Sequence, residues 1–427
     1  MSDKISLKSA ISIGIGGMVG GGIFAVLGLA VSLSKGATPV AFLFAGIVAF
    51  ITSYSYVKLT LKFPDNGGTV KFINEGFGKT IFSGSINNLL WISYIIMLSL
   101  YASAFGSYAP NLLELSGSVK IDTHIYSSAI IIIATIINYY SVKVVSTIES
   151  YSVAIKLIIL IAFIGIGIYG LFGNPNLSQL SATNWESPIQ ILTAGMVILV
   201  AYEGFELIAN AGSNIINPKI NIPKAYYYSV GFVILLYIII SIVTVGSLSF
   251  DTIKSAEEYV LAKAAKPMLG KLGFTVMTVA ALISTFSAIN ASLYGGSRVS
   301  YQIAKDDELP HELTGKFWNQ PIGLIITAIA TLILVNFLKL ESISTAGSVG
   351  FLIIFAVVNY VGFKLSKQIN AKRWIPTIGL ILCTISLIVL IIKQFESNRI
   401  GVIVALSIVA LCFIIEYFYK NTEKKTK

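Results

Sequence analysis

Apolar stretches of about twenty residues, each ended by Pro, Gly, Asn or charge, recur twelve times along this chain. That is the length at which an α-helix crosses the ~30 Å hydrocarbon core of a bilayer. The stretches run from 9 to 33, 38 to 63, 80 to 110, 124 to 142, 147 to 171, 189 to 212, 223 to 248, 272 to 301, 321 to 338, 342 to 364, 374 to 393 and 399 to 420, the fourth and ninth being the shortest. Only 12% of the residues are charged, 55% are hydrophobic and the mean hydropathy is +0.82. Soluble domains carry about a quarter charged residues, and their cores stop growing near 250–300 residues, so a soluble globular protein is excluded. The expected class is all-α integral membrane, because a helix satisfies its own backbone where lipid offers no hydrogen bonds. The first stretch is glycine-broken and lacks a small-residue cleavage site, so it reads as the first membrane helix and not as a cleaved leader.

The net charge of +10 does not indicate nucleic acid, because Lys and Arg cluster between the apolar runs and not along one face or tail. Twenty of the 30 basic residues fall in segments on the side of the two termini and nine on the other. Basic loops stay in the cytoplasm, so both termini are expected there, in a multi-pass protein of the cell membrane. The remaining basic residue, Lys156, lies inside the fifth span, too deep to reach the interface with its stem. Desolvation lets a buried ammonium exchange its proton near neutrality. Lys156 therefore either binds and releases a proton or serves as a fixed cation where a metal ion would otherwise sit.

Irregular backbone at membrane depth survives only when packed in protein or lining a wet cavity. None of the eleven prolines lies deep in a span, whereas the first span carries Gly14, Gly16, Gly17, Gly20, Gly21 and Gly22. A break there frees N–H groups at the positive end of the following half-helix, which favours a carboxylate, and leaves carbonyls that favour a cation. The same small residues also suit a close helix crossing, and both readings can hold. The sixth span places Glu203, Gly204 and Glu206 mid-segment, where a charge costs about 2.5–3.5 kcal/mol and usually faces a cavity; a protonated, hydrogen-bonded Glu is the structural reading. These two spans open two five-helix halves, 1–171 and 189–364, followed by a pair of helices over 374–420 and a basic tail, 421–427. An odd number of spans forces the second half to insert upside down, as in transporters built from inverted repeats.

Enzyme chemistry finds little support. Gly78-Lys79-Thr80 lacks the earlier glycine of a phosphate loop, and Gly20, Gly22 and Ala25 follow no strand. His124 and His311 lie at or outside span ends, Asp306-Asp307-Glu308 has no second acidic cluster, and Cys383 and Cys412 have no partners suggesting a disulfide or metal site. No cofactor or metal is expected.

The run Ile13-Gly14-Ile15-Gly16-Gly17-Met18-Val19-Gly20-Gly21-Gly22-Ile23-Phe24 resembles the first-helix signature of the amino acid–polyamine–organocation superfamily. Further matches follow in order: Phe63-Pro64-Asp65-Asn66-Gly67-Gly68, Gly204-Phe205-Glu206, Asn217-Pro218 with Ile222-Pro223-Lys224-Ala225, and Ala304-Lys305-Asp306-Asp307-Glu308-Leu309-Pro310. The lysine of the fifth span and Ala264-Ala265-Lys266-Pro267 make the chain most similar to archaeal proton-coupled amino-acid transporters of that superfamily. The resemblance implies twelve transmembrane helices in a LeuT-like 5+5 inverted repeat with the first and sixth helices broken, and free amino acids as substrate. It implies that amides at Gly20, Gly21, Gly22 and Ile23 hold the substrate carboxylate, that carbonyls around Met18, Val200 and Glu203 receive its ammonium alongside Ala201 and Gly204, and that Tyr202 is an aromatic lid. Lys156 matches the lysine that replaces sodium, bridging to a carbonyl near Gly16, with Glu206 assigned to the same coupling group; protons and not sodium are then the coupling ion. Exchange of one amino acid for another is the alternative, since the same lysine occurs in exchangers. Two departures stand out: Glu203 replaces a usual apolar residue and is expected to favour basic substrates or to point elsewhere, and Ser213 replaces a frequent Glu. Oligomeric state is left open.

Overall fold

The computed structural model describes residues 4–140, 142–172, 175–306, 308, 315–317 and 320–426, with the backbone alone for 142–150, 175, 316–317, 320–321 and 422–426. Asp307, Leu309 and Pro310 of the loop motif, and His311, lie outside the described residues.

Among the described residues sixteen α-helices follow one another: α1 Leu7–Met18, α2 Gly22–Ser34, α3 Thr38–Lys62, α4 Thr69–Phe77, α5 Ile81–Tyr108, α6 Val119–Tyr140, α7 Val142–Leu171, α8 Pro188–Val197, α9 Leu207–Asn210, α10 Pro218–Ser247, α11 Phe250–Ser255, α12 Val260–Lys305, α13 Ile322–Phe337, α14 Leu340–Lys364, α15 Trp374–Ser397 and α16 Arg399–Thr426. The only strands among the described residues are two-residue pieces, Lys316–Phe317 and Gln320–Pro321, paired antiparallel before α13. Local chemistry sets the starts. Pro39, Pro188 and Pro218 occupy the first turn of α3, α8 and α10, where a missing N–H costs nothing. Thr80 and Ser83 cap α5 reciprocally.

Among the described residues nine helices are long and apolar enough to cross a membrane, and eleven such spans result if each of two bent pairs is counted as one. The pairs are α1 with α2, bent by 44°, and α8 with the segment Leu199–Asn210, bent by 49°. The ninth expected span is α13, whose 16 residues extend about 24 Å at 1.5 Å each, below the usual crossing length. Three spans begin five residues before their expected starts: the fourth at Val119, the fifth at Val142 and the seventh at Pro218, so Pro223 lies inside α10, within its second turn. The eighth extends back through Val260 across a kink at Leu269 and Gly270. The short amphipathic helix α4, with Val70, Phe72 and Ile73 buried, is an element that a twenty-residue apolar window passes over.

The broken pairs sit in the middle of the bundle. α10 packs along both α1 and α3; α12 packs along α5 and α7; and α14 lies against α5, α15 and α16. Lipid-side exposure collects on the periphery, where α15 presents Ile378, Ile381, Ile385, Ile388 and Ile392 and α16 presents Ile403, Leu411 and Ile414.

Candidate functional site

Glycine lets the two breaks touch. A Cβ on Gly17 would come within 2.8 Å of the Gly204 Cα, and Gly204 holds φ +117°, a conformation that L side chains rarely adopt. Around this crossing α1 stops at Met18, Val19–Gly21 are non-helical, and α2 starts at Gly22. On the other side α8 stops at Val197, Leu199–Tyr202 form a 3₁₀ turn, Glu203 is extended, and α9 starts at Leu207. Both predicted interruptions are thus present and face each other.

The freed backbone groups have partners. The Tyr237 hydroxyl lies 2.7 Å from the Met18 carbonyl and 3.1 Å from that of Ala201, joining the two breaks through α10. The Ser284 hydroxyl donates to the carbonyls of Val19, at 2.9 Å, and of Gly20. The Val200 carbonyl accepts the Glu203 N–H at 3.3 Å, and the Val197 carbonyl accepts Ser344 and Ser348 hydroxyls at 2.8 Å each. The first α-helical backbone bond into α2 runs from the Ala25 N–H to the Gly21 carbonyl at 2.9 Å. The amides of Gly22 and Ile23 precede it, at the positive end of the half-helix.

Lys156 is completely buried on α7, and its Nζ donates to the Gly16 carbonyl at 3.1 Å. The cation therefore meets the carboxyl-terminal end of α1, where unsatisfied carbonyls and the helix dipole both favour positive charge.

Glu203 and Glu206 are also buried, at 3% and 1% exposure. The Tyr101 hydroxyl donates to Glu203 Oε2 and the Tyr94 hydroxyl to Glu206 Oε1, both at 3.4 Å, and the Gly204 N–H donates to Glu206 Oε2 at 2.8 Å.

A cavity lies between the breaks and α12. It is lined by Gly16, Gly17, Tyr101, Glu203, Gly204 and Leu207, and across from them by Ser287, Ala288, Ala291 and Ser292 of α12. Its volume is about 10 Å³, room for about one water. Of the expected site residues, Gly16, Glu203 and Gly204 line it, while Met18, Gly20, Gly21, Gly22, Ile23, Val200 and Ala201 stand in the surrounding backbone. Tyr202 is turned away: its ring packs 5.2 Å from that of Tyr237 and its hydroxyl donates to the Phe42 carbonyl at 2.8 Å. The aromatic side chain on the cavity is Tyr101.

Sequence reasoning passes over Tyr101, Tyr237 and the α12 wall. A signal exists for the wall: Ser284, Ser287, Ala288, Ala291 and Ser292 are small residues at helical spacing on one face. A small-residue face is equally a helix-packing device, so the pattern alone does not mark a cavity.

Comparison with known proteins places this geometry. The family model described as amino acid permease matches residues 5–417. An uncharacterised protein of Methanocaldococcus jannaschii, MJ0609, is 31% identical, with 99% of this chain and 97% of that protein covered. The inner membrane transport protein YbaT of Escherichia coli is 30% identical over 98% of this chain and 97% of its own length. The mouse Asc-type amino acid transporter 1 is 24% identical, over 99% of this chain and 83% of its own length. A polytopic bundle with two broken helices facing a buried cavity, matched over nearly its whole length, is a transporter and not an enzyme: the chain belongs to the amino acid permease family.

Proposed function

We propose that the chain is a secondary active amino-acid transporter that runs as a sodium-independent proton symporter by alternating access. The observation that carries the coupling is the Lys156 ammonium, buried in the fifth span and bonded to the Gly16 carbonyl at the end of α1. In that position the protonated lysine ties α7 to the first break, and loss of the proton releases the tie. A fixed cation there also leaves no call for a sodium ion at the same carbonyls.

The arrangement is read as twelve spans, with repeats over 1–171 and 189–364 of opposite orientation, accessory helices over 374–420, and a cytoplasmic basic tail, 421–427. The supporting facts are that a break opens each half and that α3 and α10, second in their halves, pack together, as do α5 and α12, the third. The amides of Gly20, Gly21, Gly22 and Ile23 would take the substrate carboxylate, the carbonyls near Met18, Val200 and Glu203 its ammonium, and Glu206 would belong with Lys156 to the proton-coupling group. A 10 Å³ cavity does not admit an amino acid, so binding requires the broken helices to move away from α12.

Uptake of a labelled amino-acid panel into proteoliposomes tests the reading under an inward proton gradient, a sodium gradient, or internal unlabelled amino acid with neither gradient. Uptake with the proton gradient alone is expected. Uptake that appears only with internal amino acid would make the chain an exchanger on the same scaffold.

A further inference from the structure

Away from the broken helices, a recess of about 420 Å³ opens between α3 and the loop that leads into α15, lined by Tyr54, Lys58, Asn370, Ala371, Lys372 and Ile375. Its walls are fixed. The Lys58 Nζ donates to the Asn370 carbonyl at 2.9 Å, and the Tyr54 hydroxyl accepts the Lys372 backbone N–H at 2.8 Å. Asn370 takes a left-handed turn at φ +49°, and bonds from Ile369 N to Leu365 O at 3.0 Å and from Ala371 N to Ser366 O at 2.8 Å close the loop behind it.

The recess is strongly basic. Lys58 and Lys62 stand one turn apart on α3, and Lys367, Lys372 and Arg373 lie in the loop, while neither α3 nor the stretch 359–376 contains an Asp or Glu. Among the described residues none of these five side chains pairs with a carboxylate. The polar groups inside keep unused hydrogen-bonding capacity: Tyr54 accepts from Lys372 and still has its own O–H, and Lys58 has used one of three N–H donors. An anion with several acceptor oxygens satisfies this set.

The apolar side of the recess decides which anion. Ile375 forms that side, and one turn further along α15 begins an exposed stripe of Ile378, Ile381, Ile385, Ile388 and Ile392. Trp374, 61% exposed, stands at the head of that stripe, the position aromatic residues take at a membrane interface. One molecule with a phosphate at one end and hydrocarbon at the other matches both halves.

We propose that this recess binds the phosphate headgroup of an anionic phospholipid, with the acyl chains lying along the isoleucine stripe of α15. Lys58, Lys372 and the Tyr54 hydroxyl hold the phosphate, and Lys62, Lys367 and Arg373 add the field that excludes zwitterionic headgroups, whose own ammonium is repelled. The site joins α3 to the α14–α15 loop, so an occupied recess braces the second helix of the first half against the accessory helices.

Native mass spectrometry of the purified full-length chain tests this, titrated with dioctanoyl phosphatidylglycerol, with dioctanoyl phosphatidylcholine, and with phosphatidylglycerol in the presence of inorganic phosphate. Phosphatidylglycerol is expected to bind at least tenfold more tightly than phosphatidylcholine, and equimolar phosphate to leave it bound. Each lysine near an anionic headgroup contributes about fivefold, so Lys58→Gln with Lys372→Gln weakens the lipid about thirtyfold, while Lys58→Arg with Lys372→Arg retains it. Because Lys58 also holds the loop, Lys372→Gln alone, which leaves every backbone bond in place, is measured beside it and loses about fivefold. Equal binding of the two lipids, unchanged binding by both Gln variants, or displacement by equimolar phosphate, the mark of a free-anion site, would each overturn the proposal.

Discussion

Three ionisable side chains, Lys156, Glu203 and Glu206, are buried in the middle of apolar segments and placed around two backbone breaks. Each would destabilise a helix facing lipid by several kcal/mol, so each is held by the groups it meets: a helix-end carbonyl for the lysine, tyrosine hydroxyls and a backbone amide for the carboxyls. Glu203 alone of the three also lines the cavity. A substrate with a cationic side chain would gain a charge-assisted hydrogen bond there. Glu203→Gln is therefore expected to weaken proteoliposome uptake of basic amino acids by about tenfold relative to neutral ones, and equal effects on both classes would remove Glu203 from side-chain selection. These residues are legible in the sequence because charge is rare in an apolar run. Tyr101, Tyr237 and Ser284 are not, because a Tyr or Ser in a membrane helix costs little and occurs wherever a backbone carbonyl can be reached.

The elements that matter most are the interruptions. Six glycines in the first span announce one break, and Gly204 beside two glutamates announces the other, since lipid tolerates unpaired backbone nowhere else. That the breaks touch at Gly17 and Gly204, and that α10 and α12 supply the hydroxyls satisfying their carbonyls, depends on tertiary packing that no local pattern carries. The short helix α4 is hidden for a similar reason: nine residues with one buried face are too few to stand out from a loop. Gly204→Ala forces a side chain into a left-handed backbone and against the Gly17 main chain. A loss of about 2–4 kcal/mol in stability is expected, read as a lowered thermal unfolding midpoint together with abolished uptake. A variant of unchanged midpoint and full uptake would show that the crossing tolerates a Cβ.

At the scale of the whole molecule, hydropathy alone gives a polytopic helical bundle, and the described helices follow the expected spans to within a few residues, apart from the merged α12 and the five-residue earlier starts of α6, α7 and α10. In the proposed cycle two repeats rock around a shared site, and a cavity with room for about one water would be its closed stage. In the proposed cycle a proton bound at Lys156 travels with the amino acid. The direct measurement is the internal pH of proteoliposomes, followed with a trapped pH-sensitive dye while amino acid is added outside, for the wild type and for Lys156→Met, which keeps the volume and removes the charge. Luminal acidification with wild type and none with Lys156→Met is the predicted result. Amino-acid uptake by wild type without acidification, or acidification that survives in Lys156→Met, would contradict it.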